Sequence, residues 1–309
     1  MIDRLLKPLA GPGALGLVDD AAVLDVTPGR QLVIAKDAIV EDVHFLAADP
    51  PMTVAQKLLR VNLSDLAAMG AEPLGYLTAF ALSPRHDDAW LEAFVQGLAA
   101  DQRRFGLTLL GGDTVRTPGP AMFSLTILGA VPTGAALERS TARPGDVVCV
   151  SGTLGEGALG LQVLTGRLAL PEPTAERLRQ RYRVPEPRLD LGVALRGRAT
   201  AAMDVSDGLV ADLGHIADSS GTAAVIEAAA VPLAADLRAV PGALDAALGG
   251  GDDYELLFTL ADPADAPRLA ALTATPVSVI GRIEPGRGVR VLDPDGSERH
   301  LAARGWAHF

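Results

Sequence analysis

The residues best placed to do chemistry are aspartates. Asp19-Asp20, Asp37, Asp113, Asp204 and Asp252-Asp253 sit at or near the ends of apolar runs, or in the loops beside them. Strand ends and the loops that follow them are where open sheets collect ligands. Asp65 differs, because it falls inside a predicted helix. Positions 54, 58, 61, 65 and 68 form one helical stripe, occupied by Val, Leu, Val, Asp and Ala. A carboxylate on such a stripe is costly to bury unless it is paired or bound to metal. Taken singly, each aspartate reads most simply as a cap or turn residue, and Ser206-Asp207-Gly208 reads as a helix start. Taken together, carboxylates with few nearby cations call for divalent ions, and hard oxygen ligands suit Mg²⁺.

Two glycine motifs accompany them. Gly111-Gly112-Asp113-Thr114 follows a strand-like run. Adjacent glycines there let backbone N–H groups approach a phosphate, with an acid beside them for its metal; a plain strand–turn is the alternative. Gly155-Glu156-Gly157-Ala158-Leu159-Gly160 has the dinucleotide-binding pattern after a strand. The confirming acid about 20 residues on, at the end of a second strand, is missing. This segment reads as a loop and helix start near phosphate. The chain has no P-loop of the Walker type, no zinc-like histidine spacing and no nucleophile elbow.

These residues must be held by alternating strands and helices. Gln31–Ile34 reads as a short strand, and Thr53 as the N-cap of a helix to about Met69, stopped by Gly70. Leu74–Leu82 reads as a strand. A helix from Asp87-Asp88 carries Leu91, Phe94, Val95, Leu98 and Phe105 on one face. Thr108–Leu110 and Met122–Val131 read as further strands. Arg143-Pro144-Gly145-Asp146 is a turn signal next to a domain boundary, giving domains 1–140 and 141–309. Beyond it come strand Val147–Val150, a helix near Ala158–Thr165, a proline-punctuated stretch, strand Ala201–Val205 and a helix from Asp207. Strands Ala223–Glu227 and Glu255–Leu260 follow. Val277–Ile283, Val289–Leu292 and Arg299–Leu301 look like a small meander. The fold class is α/β, of mixed α+β type, in two domains.

Composition narrows the class. The 309 residues are 49% hydrophobic and 21% charged, enough to bury a real core. A net charge of −11 argues against nucleic acid as a partner. The single cysteine, Cys149, excludes an intramolecular disulfide and sits in an apolar run, as a buried inert thiol does. No signal-like segment and no membrane-length apolar run is present, so a cytoplasmic protein without membrane association is expected.

Read in order, several blocks resemble the thiamine-monophosphate kinase family, of the aminoimidazole-ribonucleotide-synthetase-like superfamily. They are Asp19-Asp20-Ala21-Ala22-Val23, Asp37 with His44-Phe45, Val61–Ala71, Gly111–Thr114, Arg139-Ser140, Arg143–Asp146, Asp204–Leu209, Gly250–Glu255 and Gly305-Trp306. The resemblance implies a two-domain fold of the aminoimidazole ribonucleotide synthetase type, with an N-terminal domain that pairs across a homodimer. ATP and several Mg²⁺ ions would lie in a cleft that the second domain closes. The reaction implied is transfer of the ATP γ-phosphoryl group to thiamine monophosphate. By position, Asp20, Asp37, Asp65, Asp113, Asp204 and Asp207 match metal sites, and Asp37, Asp113, Asp204 and Asp207 would carry catalysis. Phe105, Gly112, Asp113, Arg139 and Ser206 match ATP contacts; His44, Asp252 and Trp306 match substrate contacts. The chain departs from the family at Val18 (usually Gly), at Ala35-Lys36 (usually Ser-Thr) and at Asp252 (usually Glu). The alternatives are a sibling ATP-dependent synthetase and a non-catalytic nucleotide-binding homologue, the latter favoured by Lys36.

Overall fold

A computed structural model describes residues 2–17, 21–25 and 27–306. Asp20 and its neighbours Val18 and Asp19 lie outside the described residues. The chain forms two compact units, Met1–Leu66 with Ala71–Gly134, and Ala67–Gly70 with Ala135–Phe309.

The first unit is built on β1 (Arg30–Val40), α1 (Pro51–Ala68), β2 (Glu72–Leu82), α2 (Asp88–Phe105), β3 (Thr108–Arg116) and β4 (Met122–Pro132). The strands order as β1-β4-β2-β3, with β2 and β3 parallel and β4 antiparallel to both its neighbours. Helix α2 starts where the Asp87 carboxylate accepts the Trp90 N–H at 2.8 Å, and ends at Gly106 with φ +70°. Thr53 is not a cap: α1 begins at Pro51, and the Thr53 hydroxyl donates to the Pro50 carbonyl at 2.8 Å. Proline's fixed φ and missing N–H suit a first helical position.

Two strands are longer than expected. β1 runs through Lys36 and Asp37 to Val40. β3 carries Gly111–Thr114 inside the strand instead of in a turn, because its ladder with β2 continues to Arg116. A side chain at 112 would collide with the Thr78 carbonyl, so close strand packing accounts for that glycine.

One face of this sheet is core. Tyr76, Phe80, Phe123, Leu125 and Ile127 are buried, and Phe94 of α2 stacks on Phe123 with centroids 4.8 Å apart. The alternate residues Leu32, Ile34, Leu77, Val115 and Met122 are exposed.

The second unit holds β5 (Val147–Ser151), α3 (Glu156–Leu164), α4 (Glu172–Arg183), α5 (Leu189–Leu195), β6 (Ala199–Asp204), α6 (Leu209–Ser220) and β7 (Ala223–Glu227). After them come α7 (Ala243–Gly249), β8 (Leu256–Leu260), α8 (Asp265–Thr273), β9 (Val277–Glu284) and β10 (Gly288–Leu292). Its strand order is β10-β7-β9-β5-β8-β6. The proline-punctuated stretch contains α4, since Pro173 falls in the first turn where no N–H is needed. The expected meander does not form. β7, whose Ala224, Val225 and Ile226 are fully buried, takes a neighbour on each side and separates β9 from a parallel β10. Arg299–Leu301 forms no strand; Arg299 N–H donates to the Val291 carbonyl at 2.8 Å.

Both faces of this sheet are covered. Val148, Val150, Met203 and Leu257 pack with Leu209, Leu213 and Ile216 of α6. On the other face Cys149 and Phe258 pack with Leu191, Leu195 and Leu269. Burial pushes the Cys149 thiol up to about 12, which makes it inert. Among the described residues no helix is long and apolar enough to cross a membrane.

Candidate functional site

In the second unit three segments meet through backbone hydrogen bonds. Strand β6 ends at buried Asp204 and is followed by Val205–Gly208. The Asp252 and Tyr254 N–H groups donate to the carbonyls of Ser206 (2.9 Å) and Val205 (2.8 Å). Trp306 N–H donates to the Asp207 carbonyl at 2.9 Å, leaving the indole residue 58% exposed. Asp204, Ser206, Asp207, Asp252 and Trp306 are thereby gathered on one set of loops. Helix α6 starts at Leu209, two residues after the expected Asp207, so Ser206 and Asp207 stay in the loop.

That loop is held by a residue the sequence reading passed over. Asp212 is 1% exposed, and its Oδ2 accepts the N–H groups of Ser206, Asp207 and Gly208 at 3.0, 3.1 and 3.1 Å. Burial, reinforced by the Asp204 charge, pushes its carboxyl up to about 7 despite those donors. The glycine-rich turn of α3 is likewise filled from within: Asp253, fully buried, accepts Gly155 N–H at 2.7 Å and Gly157 N–H at 3.0 Å. This segment therefore serves an internal carboxylate, and the expectation that its amides sit near phosphate is corrected. Burial pushes the Asp253 carboxyl up to about 7.

Next to it Glu255 is almost fully buried in a polar network. It accepts from Ser151 Oγ at 2.5 Å and from Arg188 Nε at 2.7 Å, and it also pairs with Arg181. Buried charges persist only when paired in this way. Between these anchors Asp252 and Tyr254 take left-handed backbone, φ +69° and +52°. Such conformations cost about 1–3 kcal/mol each and survive only where the surroundings impose them. Arg139 is exposed; its carbonyl accepts the Ser220 hydroxyl at 3.1 Å, while the neighbouring Glu138 carbonyl accepts Ala202 N–H.

In the first unit the candidate residues ride on strands and α1. Asp37 pairs with Leu125, Leu125 with Thr78, and Thr78 with Gly112, so Asp37 and Gly112 share one row. Three strand spacings separate them, roughly 14 Å. Asp113, one residue on, lies on the opposite face with Lys36, and its Oδ1 accepts Thr114 N–H at 2.8 Å. Lys36 adjoins Asp37 in sequence but faces away from it, its ammonium donating to Thr126 Oγ1 at 3.3 Å. β1 is an edge strand, and Asn62, fully buried on α1, accepts the Asp37 N–H at 3.0 Å. Asp65 follows Asn62 by one helical turn and is half-buried.

His44 Nδ1 accepts Val40 N–H at 3.1 Å, which leaves the proton of a neutral ring on Nε2. Phe105 is half-buried at the end of α2, with the guanidinium carbons of Arg60 and Arg104 at 5.4 and 5.0 Å from its ring centroid. Among the described residues no group of three or more His, Cys, Asp or Glu is close enough to hold a metal ion by itself.

Residues 18–131 match the AIR synthase related protein N-terminal domain, and residues 143–293 its C-terminal domain. The architecture is thus that of a two-domain AIR synthase related protein. The thiamine-monophosphate kinase of Caulobacter vibrioides is 46% identical over 99% of this chain and 89% of its own length. The crystal structure of thiamine-monophosphate kinase from Stenotrophomonas maltophilia K279a superposes with a TM-score of 0.85 at 42% identity, covering 95% and 94% of the two chains. AaThiL complexed with AMPPCP and TMP superposes with a TM-score of 0.82 at 32% identity, covering 98% of each. The chain belongs to the thiamine-monophosphate kinase family.

Proposed function

We infer that this chain transfers the γ-phosphoryl group of ATP to thiamine monophosphate, giving thiamine diphosphate and ADP. The observation that carries the reading is the loop cluster Asp204–Gly208, Asp252–Tyr254 and Trp306, set in a chain that matches named thiamine-monophosphate kinases over nearly its whole length. Those names favour catalysis over a non-catalytic homologue, and a relative bound to AMPPCP and TMP supports both substrates.

Phosphoryl transfer is largely positioning and charge neutralisation, so no covalent nucleophile is needed. Trp306 offers an exposed indole face for the cationic thiazolium, a contact of about 0.5–2 kcal/mol. Asp252 and His44 are the other substrate contacts. Phe105, Gly112, Arg139 and Ser206 are the ATP contacts.

Mg²⁺ fits the donor set. Asp37, Asp65, Asp113, Asp204 and Asp207 offer hard carboxylate oxygens, with Asp20 beyond the described residues. Mg²⁺ is commonly held by one or two carboxylates together with ATP phosphates and water. When bound, Mg²⁺ supplies charge neutralisation at the transferring phosphoryl group.

The exposed apolar residues Leu32, Ile34, Leu77, Val115 and Met122 on one sheet face support a homodimer that covers them. The acidic composition and the absence of a membrane-length helix among the described residues are consistent with a cytoplasmic enzyme. Incubation of the purified protein with ATP, Mg²⁺ and thiamine monophosphate should yield thiamine diphosphate by chromatography. ATP consumption without that product overturns the reading.

A further inference from the structure

The glycine motif at 155–160 has no part in the reaction inferred above, yet its geometry is specific. Asp253 sits where a bound anion would sit, each oxygen taking one N–H from the start of α3. A side chain at Gly157 would collide with the Asp252 carbonyl and Cβ, so α3 and the 252 backbone are in direct contact. On the other side Asp252 and Tyr254 are tied by their N–H groups to the carbonyls of Ser206 and Val205. Arg181 bridges the two anchors, donating to the Asp253 carbonyl at 3.1 Å and pairing with Glu255. The positive φ values of Asp252 and Tyr254 alternate with the buried side chains of Asp253 and Glu255. Each anchored carboxylate thus holds the residue before it in a conformation it would not otherwise keep.

We propose that Asp253, seated on the Gly155 and Gly157 amides, is a positioning residue for the thiamine monophosphate site, acting by fixing the backbone that presents Asp252. Fully buried, its carboxylate acts through the backbone that it holds. The inference rests on the functional reading above, in which Asp252 is a substrate contact. It also gives the dinucleotide-like motif a role: the turn that in nucleotide-binding folds cradles a pyrophosphate here cradles the protein's own carboxylate.

The test is a double-mutant cycle in steady-state kinetics on the full chain, with Asp252→Ala, Asp253→Asn and the double variant. Asp253→Asn keeps the volume and removes the charge and one acceptor. The expected result is a rise in KM for thiamine monophosphate of about tenfold in each single variant, with KM for ATP changed less than about twofold and no further rise in the double variant. Additive effects, or an equal rise in both KM values, would mark Asp253 as a general structural residue and overturn the proposal. So would an Asp252→Ala variant with unchanged KM. If Asp253→Asn does not fold, Gly157→Ala presses on the Asp252 backbone from the α3 side and carries the same cycle. Absence of thiamine diphosphate formation by the wild type would instead refute the functional reading itself.

Discussion

The four-stranded sheet of the first unit is buried on one face, while the six-stranded sheet of the second is buried on both. The two units also hold their candidate residues differently. In the first, Asp37, Gly112 and Asp113 lie on strands, so ladder register sets their faces and spacing. In the second, Asp204 is the last laddered residue of β6, paired with Leu256, while Ser206, Asp207 and Asp252 lie beyond strand ends, where no ladder fixes them. There buried carboxylates do the fixing: Asp212, Asp253 and Glu255 each gather several donors. Strand-borne groups are positioned by the sheet itself, whereas loop-borne groups need dedicated anchors in the core.

The largest expected effect is on an anchor. Glu255→Gln should cost about 3–5 kcal/mol in denaturant unfolding, because two partly buried arginines lose their buried carboxylate partner. Arg30–Glu72 in the first unit is more exposed, and Glu72→Gln there should cost no more than about 1 kcal/mol. Equal costs would break the contrast between the units.

The exposed sheet face supplies the next test. Ile34, 63% exposed on β1, would be covered in a homodimer. Ile34→Asp should weaken self-association at least about a hundredfold, about 2.7 kcal/mol, by sedimentation. A monomeric wild type, or a variant that dimerises unchanged, contradicts that use of the face.

The buried titratable groups give the units opposite pH signatures. Burial lowers the pKa of His86 below its ordinary value, against the opposing charge of Glu41. Its contribution to stability is therefore present above about pH 6.5 and lost on acidification. Asp253 is raised from 3.8 to about 7, so its contribution is present at low pH and lost as pH rises through that window. Arg181 and Glu255 face it with opposing effects. Thermal melts from pH 5 to 8 should show His86→Gln removing part of the acid-side loss and Asp253→Asn part of the neutral-side loss. Each slope is at most about 1.4 kcal/mol per pH unit. Slopes identical to wild type in both variants would remove the assignment.

The smallest effect is expected at Lys36. Register turns its side chain away from Asp37. Lys36→Thr should change stability by less than about 0.5 kcal/mol and leave the Mg²⁺ dependence of activity unaltered. A shifted Mg²⁺ dependence would show that the ammonium replaces part of a metal site after all.

Much of this was legible in the sequence for physical reasons. Strong periodicity and caps gave α2 from Asp87, and Pro73 and Pro84 bracketed the strand at 74–82. The candidate aspartates stood out against apolar runs; Asp204 does end a strand, while Asp37 and Asp113 lie within β1 and β3. The anchors were not. Asp212 and Asp253 differ from surface acids only in burial and in the amides they collect, and those amides come from loops whose course tertiary packing decides. Asn62 was passed over for the same reason, since its Asp37 partner lies across the unit's core. Glycine misled at 155–157, and at 111–112 it lies within a strand instead of the expected turn, because close packing and ligand approach place the same demand on a backbone.

Mg²⁺-dependent phosphoryl transfer to thiamine monophosphate is tested by following label from [γ-³²P]ATP. Label is expected in thiamine diphosphate with Mg²⁺, none with excess chelator, and a fall of about 10²–10³-fold in an Asp204→Asn variant of normal circular dichroism. Label appearing only in inorganic phosphate, or undiminished transfer in excess chelator, would contradict it.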